Sequence, residues 1–301
     1  MSFPGQPPGT GTVPPGRQHP VPAAGSGSAG RALVGLVLLL PALVALIWSY
    51  VAPTLSTMAT SFQHDSLIRE PESAGTDNYQ KIFEDGLAGQ FGLALLLGLL
   101  PLAIALLAAP LLALVADRAG RVPRLVTRGV LALPIAGYAP TALFLGWRVR
   151  LSESGSLADG ARFELTWILA LTSFGLVVAV AATAFLSALR QREPGRRPTP
   201  ALLTVGGFVG LALLALTLQI FTAPALLTGG GPDRSTMTPL LGVWQASFRF
   251  AQLGLGAAGS TVLLLLLGLF GLAATGLLLA SRTRIEFDGW RDRPAGTPVP
   301  A

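Results

Sequence analysis

Neutral polar side chains interrupt otherwise apolar stretches of this 301-residue sequence, and they set the chemistry that those stretches can offer. Tyr138, Thr141, Gln219 and Thr222 all lie in such stretches. Their hydroxyl and amide groups donate and accept hydrogen bonds without carrying charge. They suit a neutral, sugar-like solute, so we take these four as candidate residues of a substrate path. A hydrogen bond between two helices is the alternative reading of Gln219.

A second group of candidates lies in one polar string, TGGGPDRSTM, at residues 228–237. The string follows about two dozen almost uncharged residues. Glycine tolerates positive φ, and proline followed by aspartate favours a tight turn. The string therefore predicts a turn between two apolar helices, and its candidate residues are Gly230, Gly231, Pro232, Ser235 and Thr236. A rigid turn that only orients the next helix explains the same residues.

Several kinds of active site are excluded by the residues that the sequence lacks or places elsewhere. It has no cysteine, and its two histidines, His19 and His64, lie in polar segments. The phosphate-binding pattern Gly-x-x-x-x-Gly-Lys-Ser/Thr does not occur. We therefore predict no catalytic residue, no metal site and no cofactor bound by this chain, which we expect not to be an enzyme.

The composition is that of a polytopic membrane protein. Hydrophobic residues make up 51% of the chain and charged residues only 12%, against about 25% charged residues in a soluble domain. Six apolar runs each reach the roughly 20 residues that span a bilayer as a helix. They predict an all-α integral membrane protein with six transmembrane helices, at about 32–53, 91–116, 125–147, 165–189, 201–223 and 257–281. This predicted membrane domain, 32–281, lies between a Pro/Gly-rich disordered tail, 1–31, and a C-terminal tail, 282–301.

The distribution of charge predicts the orientation. The tails and the loops after the second and fourth runs hold fourteen basic and five acidic residues, whereas the opposite loops hold seven basic and ten acidic residues. Cytoplasmic loops of membrane proteins are enriched in Lys and Arg. Both termini are therefore expected in the cytoplasm. The basic charge reflects contact with membrane lipid rather than with nucleic acid.

The apolar runs carry ionisable residues only near their ends. Intramembrane ionisable residues usually mark proton relays or ion-coupled transport. Their absence disfavours a proton-coupled carrier and favours a neutral solute.

Four stretches, in this order and spacing, carry a family resemblance. They are YVAPTLSTMATSF at 50–62, AGTDNYQKIFED at 74–85 around Asn78 and Tyr79, RGVLALP with TALFLGW at 128–134 and 141–147, and TGGGPDRST continuing to WQASFRFAQLGLGAAGS at 244–260. Together the chain resembles the permease subunits of binding-protein-dependent ABC sugar importers of the maltose or glycerol phosphate type.

The resemblance implies a type I ABC importer permease bundle in a bacterial cytoplasmic (inner) membrane. It implies a second permease subunit, two ATPase subunits that bind the ATP, and an extracytoplasmic solute-binding protein as partners. Asn78, Tyr79 and the turn would then belong to the outer loops, on the side that meets the binding protein.

One departure from the family concerns the cytoplasmic loop before the fifth helix. The family carries there a Glu-Ala-Ala-x-x-x-Gly helix that engages the ATPase, but this chain reads RQREPGRRPTP at 190–200. Proline and glycine oppose a stable helix. This degenerate ATPase-facing loop contains Arg190, Arg192, Glu193, Arg196 and Arg197. It motivates an alternative, a permease-like scaffold or regulatory subunit that no longer couples to an ATPase.

Overall fold

A computed structural model of the protein describes residues 27–66, 69–118, 121–154, 161–191 and 199–281. Of these, residues 27–54 form one compact unit and residues 55–281 form another.

The first unit is a single apolar helix. It consists of α1 (Gly27–Leu46), a π-helical turn at Ile47–Val51, and the start of α2 (Ala52–Thr60), which ends in the second unit. Helix α1 begins before the predicted position 32, so residues 27–31 are helical rather than part of the tail. The π turn adds a residue to the helix, which rotates the side chains that follow it.

The second unit opens with a β-hairpin that the sequence did not predict. Strand β1 (Gln63–Ser66) pairs antiparallel with β2 (Arg69–Ser73), with Gln63 opposite Ser73 and His64 opposite Glu72. Helix α3 (Asp77–Glu84) follows. Helices make up most of the other described residues, which confirms the prediction of a predominantly helical fold.

Eight more helices complete the described part of the second unit. They are α4 (Leu87–Arg118), α5 (Arg121–Ala136), α6 (Pro140–Ser154), α7 (Ala161–Gln191), α8 (Thr199–Leu218), α9 (Thr222–Leu227), α10 (Pro239–Trp244) and α11 (Leu253–Ser281). A short 3₁₀ turn, Pro232–Arg234, precedes α10, and a second π-helical turn, Gln245–Arg249, follows it.

Small residues line the most extensive contact between described helices, that of α4 with α7. Ala105, Ala109, Ala113 and Ala116 are buried along one face of α4, because residues three or four apart share a helix face. This alanine seam packs on α7, whose Ala181, Ala188 and Phe185 belong to the same buried cluster. Small side chains let helix backbones approach closely in a membrane bundle. The seam therefore fixes α4 against α7.

Five described helices are long and apolar enough to cross a membrane. They cover Val37–Thr60, Leu87–Arg118, Arg162–Leu189, Leu202–Leu227 and Leu253–Ser281, close to five of the six predicted runs. The predicted third run is broken: Leu125–Ala136 and Pro140–Ser152 meet at a 71° bend, and they make a sixth span only when counted as one.

Two predicted continuous helices are interrupted at prolines. Pro140 starts α6, and a residue that precedes proline is disfavoured in a helix, so the third run bends at 137–139. The predicted fifth run, 201–223, is interrupted after Leu218. If the helix continued through Pro224, the proline ring would clash with the carbonyl group of Ile220. That carbonyl instead accepts a hydrogen bond from the Thr238 hydroxyl at 2.7 Å.

Candidate functional site

The predicted polar string forms a compact turn, here called the glycine turn (residues 228–238). Gly229, Gly230 and Gly231 all have positive φ, at 63°, 102° and 72°. Only glycine adopts such angles without steric cost. Asp233 and Arg234 also have positive φ, at 50° and 58°, which is uncommon for residues with a β-carbon. The three glycines are therefore needed by the path of the backbone itself.

Hydrogen bonds inside the glycine turn hold this path. The Gly231 amide donates to the Thr228 carbonyl at 2.9 Å, and the Thr236 amide donates to the Gly230 carbonyl at 3.0 Å. The Thr228 and Thr236 hydroxyl groups lie 2.7 Å apart. Thr236 is fully buried. The predicted site residue Thr236 therefore stabilises the turn from within.

Three side-chain hydrogen bonds connect the turn to distant elements. Arg162 of α7 donates from Nε to the Ser235 carbonyl at 2.7 Å. Arg234 donates from Nη1 to the Asp85 carbonyl at 3.1 Å, at the junction of α3 and α4. Gln245 donates from Nε2 to the Gly229 carbonyl at 3.2 Å. Three well-separated parts of the fold thus converge on one loop.

Asn78 and Tyr79 brace a different part of the same region. The buried Asn78 amide donates to the Ser61 carbonyl at 3.0 Å and to the Gln63 carbonyl at 2.8 Å. The Tyr79 hydroxyl lies 2.6 Å from the Ser61 hydroxyl, and its ring packs on Phe62 with centroids 5.4 Å apart. These contacts run to residues 61–63, where α2 leads into the β-hairpin, whereas those of the glycine turn run to the α3–α4 junction, α7 and the π-helical turn.

Helix α11 packs against the hairpin at its first turn. A β-carbon added to Gly254 would overlap the Gln63 carbonyl and lie 3.0 Å from the Asn78 amide nitrogen. Gly254 therefore lets the start of α11 sit directly against Asn78. The family-like residues Asn78 and Gly254 form one structural contact although 176 positions separate them in the sequence numbering.

A pocket of about 250 Å³ opens between the glycine turn, the α3–α4 junction and the start of α11. Its walls combine amides, charges and apolar side chains: Lys81, Ile82, Asp85, Gln90, Arg234, Met237, Gly242, Gln245, Ala246, Phe250, Gln252 and Leu255. Gln90 is 9% exposed, and its side-chain oxygen has no hydrogen-bond donor. Sequence reasoning missed this pocket, and the available signal was a lone glutamine in the apolar start of α4.

The four predicted path residues occupy the ends and breaks of helices. Tyr138 lies in the bend between α5 and α6, and Thr141 lies in the first turn of α6. Gln219 follows α8, and its Nε2 donates to the Ala215 carbonyl of α8 at 3.2 Å. Thr222 begins α9. This Gln219 bond is thus made within its own segment, and a bond from Gln219 to another helix stays a prediction.

Helices α6 and α9 pack together, which places the two breaks in neighbouring elements. Phe144 of α6 and Ala223 and Leu227 of α9 share one buried cluster. Arg148 adds a hydrogen bond from Nη1 to the Leu226 carbonyl at 2.6 Å. Sequence reasoning treated Arg148 and Arg162 only as loop charges, whereas both anchor backbone carbonyls.

The predicted ATPase-facing loop is described only at its borders. Arg190 belongs to the last turn of α7, while Arg192, Glu193, Arg196 and Arg197 lie outside the described residues. Among the described residues, no group of three or more His, Asp or Glu side chains is placed to hold a metal ion.

Comparison with known proteins gives a match in fold only. No family model and no curated protein matches the sequence. A chain of the bacterial alginate ABC transporter, solved in complex with an alginate pentasaccharide-bound periplasmic protein, superposes with a TM-score of 0.60 at 15% identity. The match covers 84% of this chain and 97% of that one.

A second solved structure gives a similar match. It is a bacterial ABC transporter involved in the import of the acidic polysaccharide alginate, with a TM-score of 0.52 at 15% identity over 82% of this chain and 96% of that chain. At this identity the likeness establishes a common fold.

Proposed function

We propose that this chain is a permease subunit of an ATP-binding-cassette importer and forms half of the translocation pathway for a carbohydrate or related polyol. One observation carries the proposal: the glycine turn, whose sequence resembles that of the family, is held by hydrogen bonds of Arg162, Arg234 and Gln245. The fold that contains this turn superposes on nearly the whole length of a solved ABC transporter chain. Sequence motif and fold are independent arguments for the same protein class.

In this proposal the chain works with four partner molecules. A second permease supplies the other half of the path, two ATPase subunits bind and hydrolyse ATP, and an extracytoplasmic solute-binding protein delivers the solute. The protein lies in a bacterial cytoplasmic membrane with both termini inside, as its distribution of basic residues indicates. Asn78, Tyr79 and the glycine turn then face outward.

The proposed solute is neutral. The similar solved transporters handle alginate, an acidic polysaccharide. Here the predicted fifth and sixth membrane runs contain no ionisable residue, and a buried anion would need paired cations. Tyr138, Thr141, Gln219 and Thr222 supply hydroxyl and amide groups for a neutral carbohydrate or polyol.

A second candidate function is a permease-like scaffold or regulatory subunit. Helix α7 ends at Gln191 and α8 begins at Thr199, so only residues 192–198 separate the two helices. That segment contains Pro194, Gly195 and Pro198, which oppose a stable helix that could engage an ATPase.

Co-purification and uptake separate the two functions. The full chain carries a C-terminal tag, the native membrane is solubilised gently, and co-purifying proteins are identified by mass spectrometry. A second permease, an ATPase and a solute-binding protein support the importer. A permease partner without an ATPase, under conditions that keep a known ABC importer intact, together with unchanged solute uptake in a deletion strain, supports the scaffold.

A further inference from the structure

The pocket beside the glycine turn contains a buried hydrogen-bond acceptor without a donor. Gln90 of α4 is nine-tenths buried, and its Oε1 atom has no partner. Buried polar groups in folded proteins are almost always hydrogen-bonded, and the exceptions call for a specific cause. An incoming ligand that brings a donor would satisfy this atom.

The pocket places its charges at the rim and neutral groups further in. Lys81, Asp85 and Arg234 are all exposed, whereas Gln90 and Gln245 are buried amides. Burying a charge without a counter-charge is costly. The part of a ligand that reaches Gln90 is therefore an uncharged donor, such as a hydroxyl group.

The remaining walls are apolar. Ile82, Met237, Ala246 and Leu255 line the pocket, together with Phe250, which is 53% exposed. A ring with hydroxyl groups at its edge and C–H groups on its face matches such a mixture. The volume of about 250 Å³ lies just below the roughly 300–1,000 Å³ of drug-sized ligand sites, so it suits one small ring.

We propose that this pocket binds one uncharged sugar ring or polyol, whose hydroxyl group donates to Gln90 Oε1 while its C–H face packs against Phe250. The site is separate from the path residues Tyr138, Thr141, Gln219 and Thr222. It goes beyond the proposed import function, because it adds a binding site outside the transport path. Binding at this site is measured without any transport.

The test is a direct binding measurement on the full chain in lipid nanodiscs. Glucose, mannitol, glucuronate and glutamine are titrated separately, with saturation-transfer NMR and calorimetry as readouts. Glucose or mannitol is expected to bind saturably and in preference to glucuronate and glutamine. Gln90→Leu removes the acceptor and keeps an apolar body of similar size, so the affinity should fall about fivefold to tenfold.

Gln80→Leu is the matched control, since it makes the same change at an exposed glutamine of α3 that does not line the pocket. It should leave the affinity unchanged. Glucose and mannitol failing to bind, a preference for glucuronate or glutamine, or equal losses in the two glutamine variants would each overturn the proposal. A pocket that instead takes a partner protein gives no sugar binding, and Gln90→Leu then weakens association with that partner.

A second variant tests the geometry without touching the acceptor. A β-carbon on Gly242 would lie 2.5 Å from Gln90 Oε1, so Gly242→Ala pushes the amide out of position and should also weaken sugar binding. Gly92→Ala is its control, because a β-carbon there meets nothing within 4 Å. An unchanged affinity in a folded Gly242→Ala protein contradicts the assignment of Gln90.

Discussion

The Arg162 side chain of α7 holds the backbone of the glycine turn, with its Nε atom 2.7 Å from the carbonyl oxygen of Ser235. The two residues lie 73 positions apart in the sequence. The contact connects a long, apolar helix to a loop in which five residues have positive φ. The order of the loop thus depends on an arginine far from the motif.

Replacing Arg162 should loosen the glycine turn. Arg162→Met retains most of the apolar stem but removes the donor, and we expect about 0.5–1.5 kcal/mol of lost stability together with faster proteolysis within residues 228–238. Limited proteolysis with mass spectrometry checks this. Arg150→Met, on the exposed side of α6, is the control, and equal cleavage in both variants would contradict the anchoring role.

The second prediction compares two glycines of the turn that differ in the space around them. Gly231→Ala forces a side chain into positive φ and places a β-carbon 2.7 Å from the Thr236 hydroxyl oxygen. Gly229→Ala has a similar φ, but a β-carbon there meets nothing within 4 Å. Gly231 combines its positive φ with a ψ of 173°, a region that is nearly restricted to glycine and costs other residues about 1–3 kcal/mol.

We therefore expect Gly231→Ala to lower the thermal midpoint further than Gly229→Ala, measured on purified protein in nanodiscs. If the two variants have the same thermal midpoint, the contact between the added β-carbon and the Thr236 hydroxyl does not affect stability. Under the proposed importer function, Gly231→Ala should also weaken association with the solute-binding protein.

The third prediction concerns the Asn78 amide, which donates to two carbonyl groups. Asn78→Asp replaces that donor with a carboxylate that faces the Ser61 and Gln63 carbonyl oxygens. A buried group left unsatisfied costs about 1–3 kcal/mol, and more when it is charged. Tyr79→Phe loses a single hydroxyl contact and keeps the ring on Phe62, so it should cost about 0.5–1.5 kcal/mol.

Thermal unfolding and hydrogen exchange of the hairpin amides measure this difference. Asn78→Asp should expose the amides of residues 63–66 to faster exchange than Tyr79→Phe does. A hairpin protected equally in both variants would mean that Asn78 does not hold it.

The fourth prediction follows from the loop that contains residues 192–198. If the proposed importer couples mainly through its second permease, replacing this segment by a flexible linker of equal length should cost less uptake than deleting the coupling helix of that partner. Uptake of labelled sugar into vesicles loaded with ATP is the readout, with assembly checked by co-purification. Intact assembly with abolished uptake would contradict this asymmetry.

The sequence predicted the long helices well because apolar run length is a strong and local signal. It also predicted that the string at 228–237 turns, since three glycines and a proline leave few other conformations. It did not predict the bend before Pro140 or the interruption of the helix before Pro224. Whether a proline kinks a helix or interrupts it depends on which groups hydrogen-bond to the carbonyl groups that the proline leaves unpaired. The Ile220 carbonyl accepts such a bond from Thr238, which lies in another segment.

The candidate site was harder to predict than the helices. Gly231 and Thr236 were recognised from their pattern, but the roles of Arg162, Gln90 and Gln245 depend on contacts between residues far apart in the chain. A lone glutamine in an apolar helix gives no indication of whether a partner reaches it. Asn78 was singled out as part of an outer loop, and the structure shows it bonded to the β-hairpin.

The alanine seam between α4 and α7 has a mechanical consequence. Ala105, Ala109 and Ala113 have no side-chain rotamers, so we expect this close contact to rearrange less readily than one formed by long side chains. We therefore expect α4 and α7 to move together as one rigid unit. Any change of shape within the second unit must be taken up at places where the chain is already interrupted, such as the 71° bend between α5 and α6 and the break between α8 and α9.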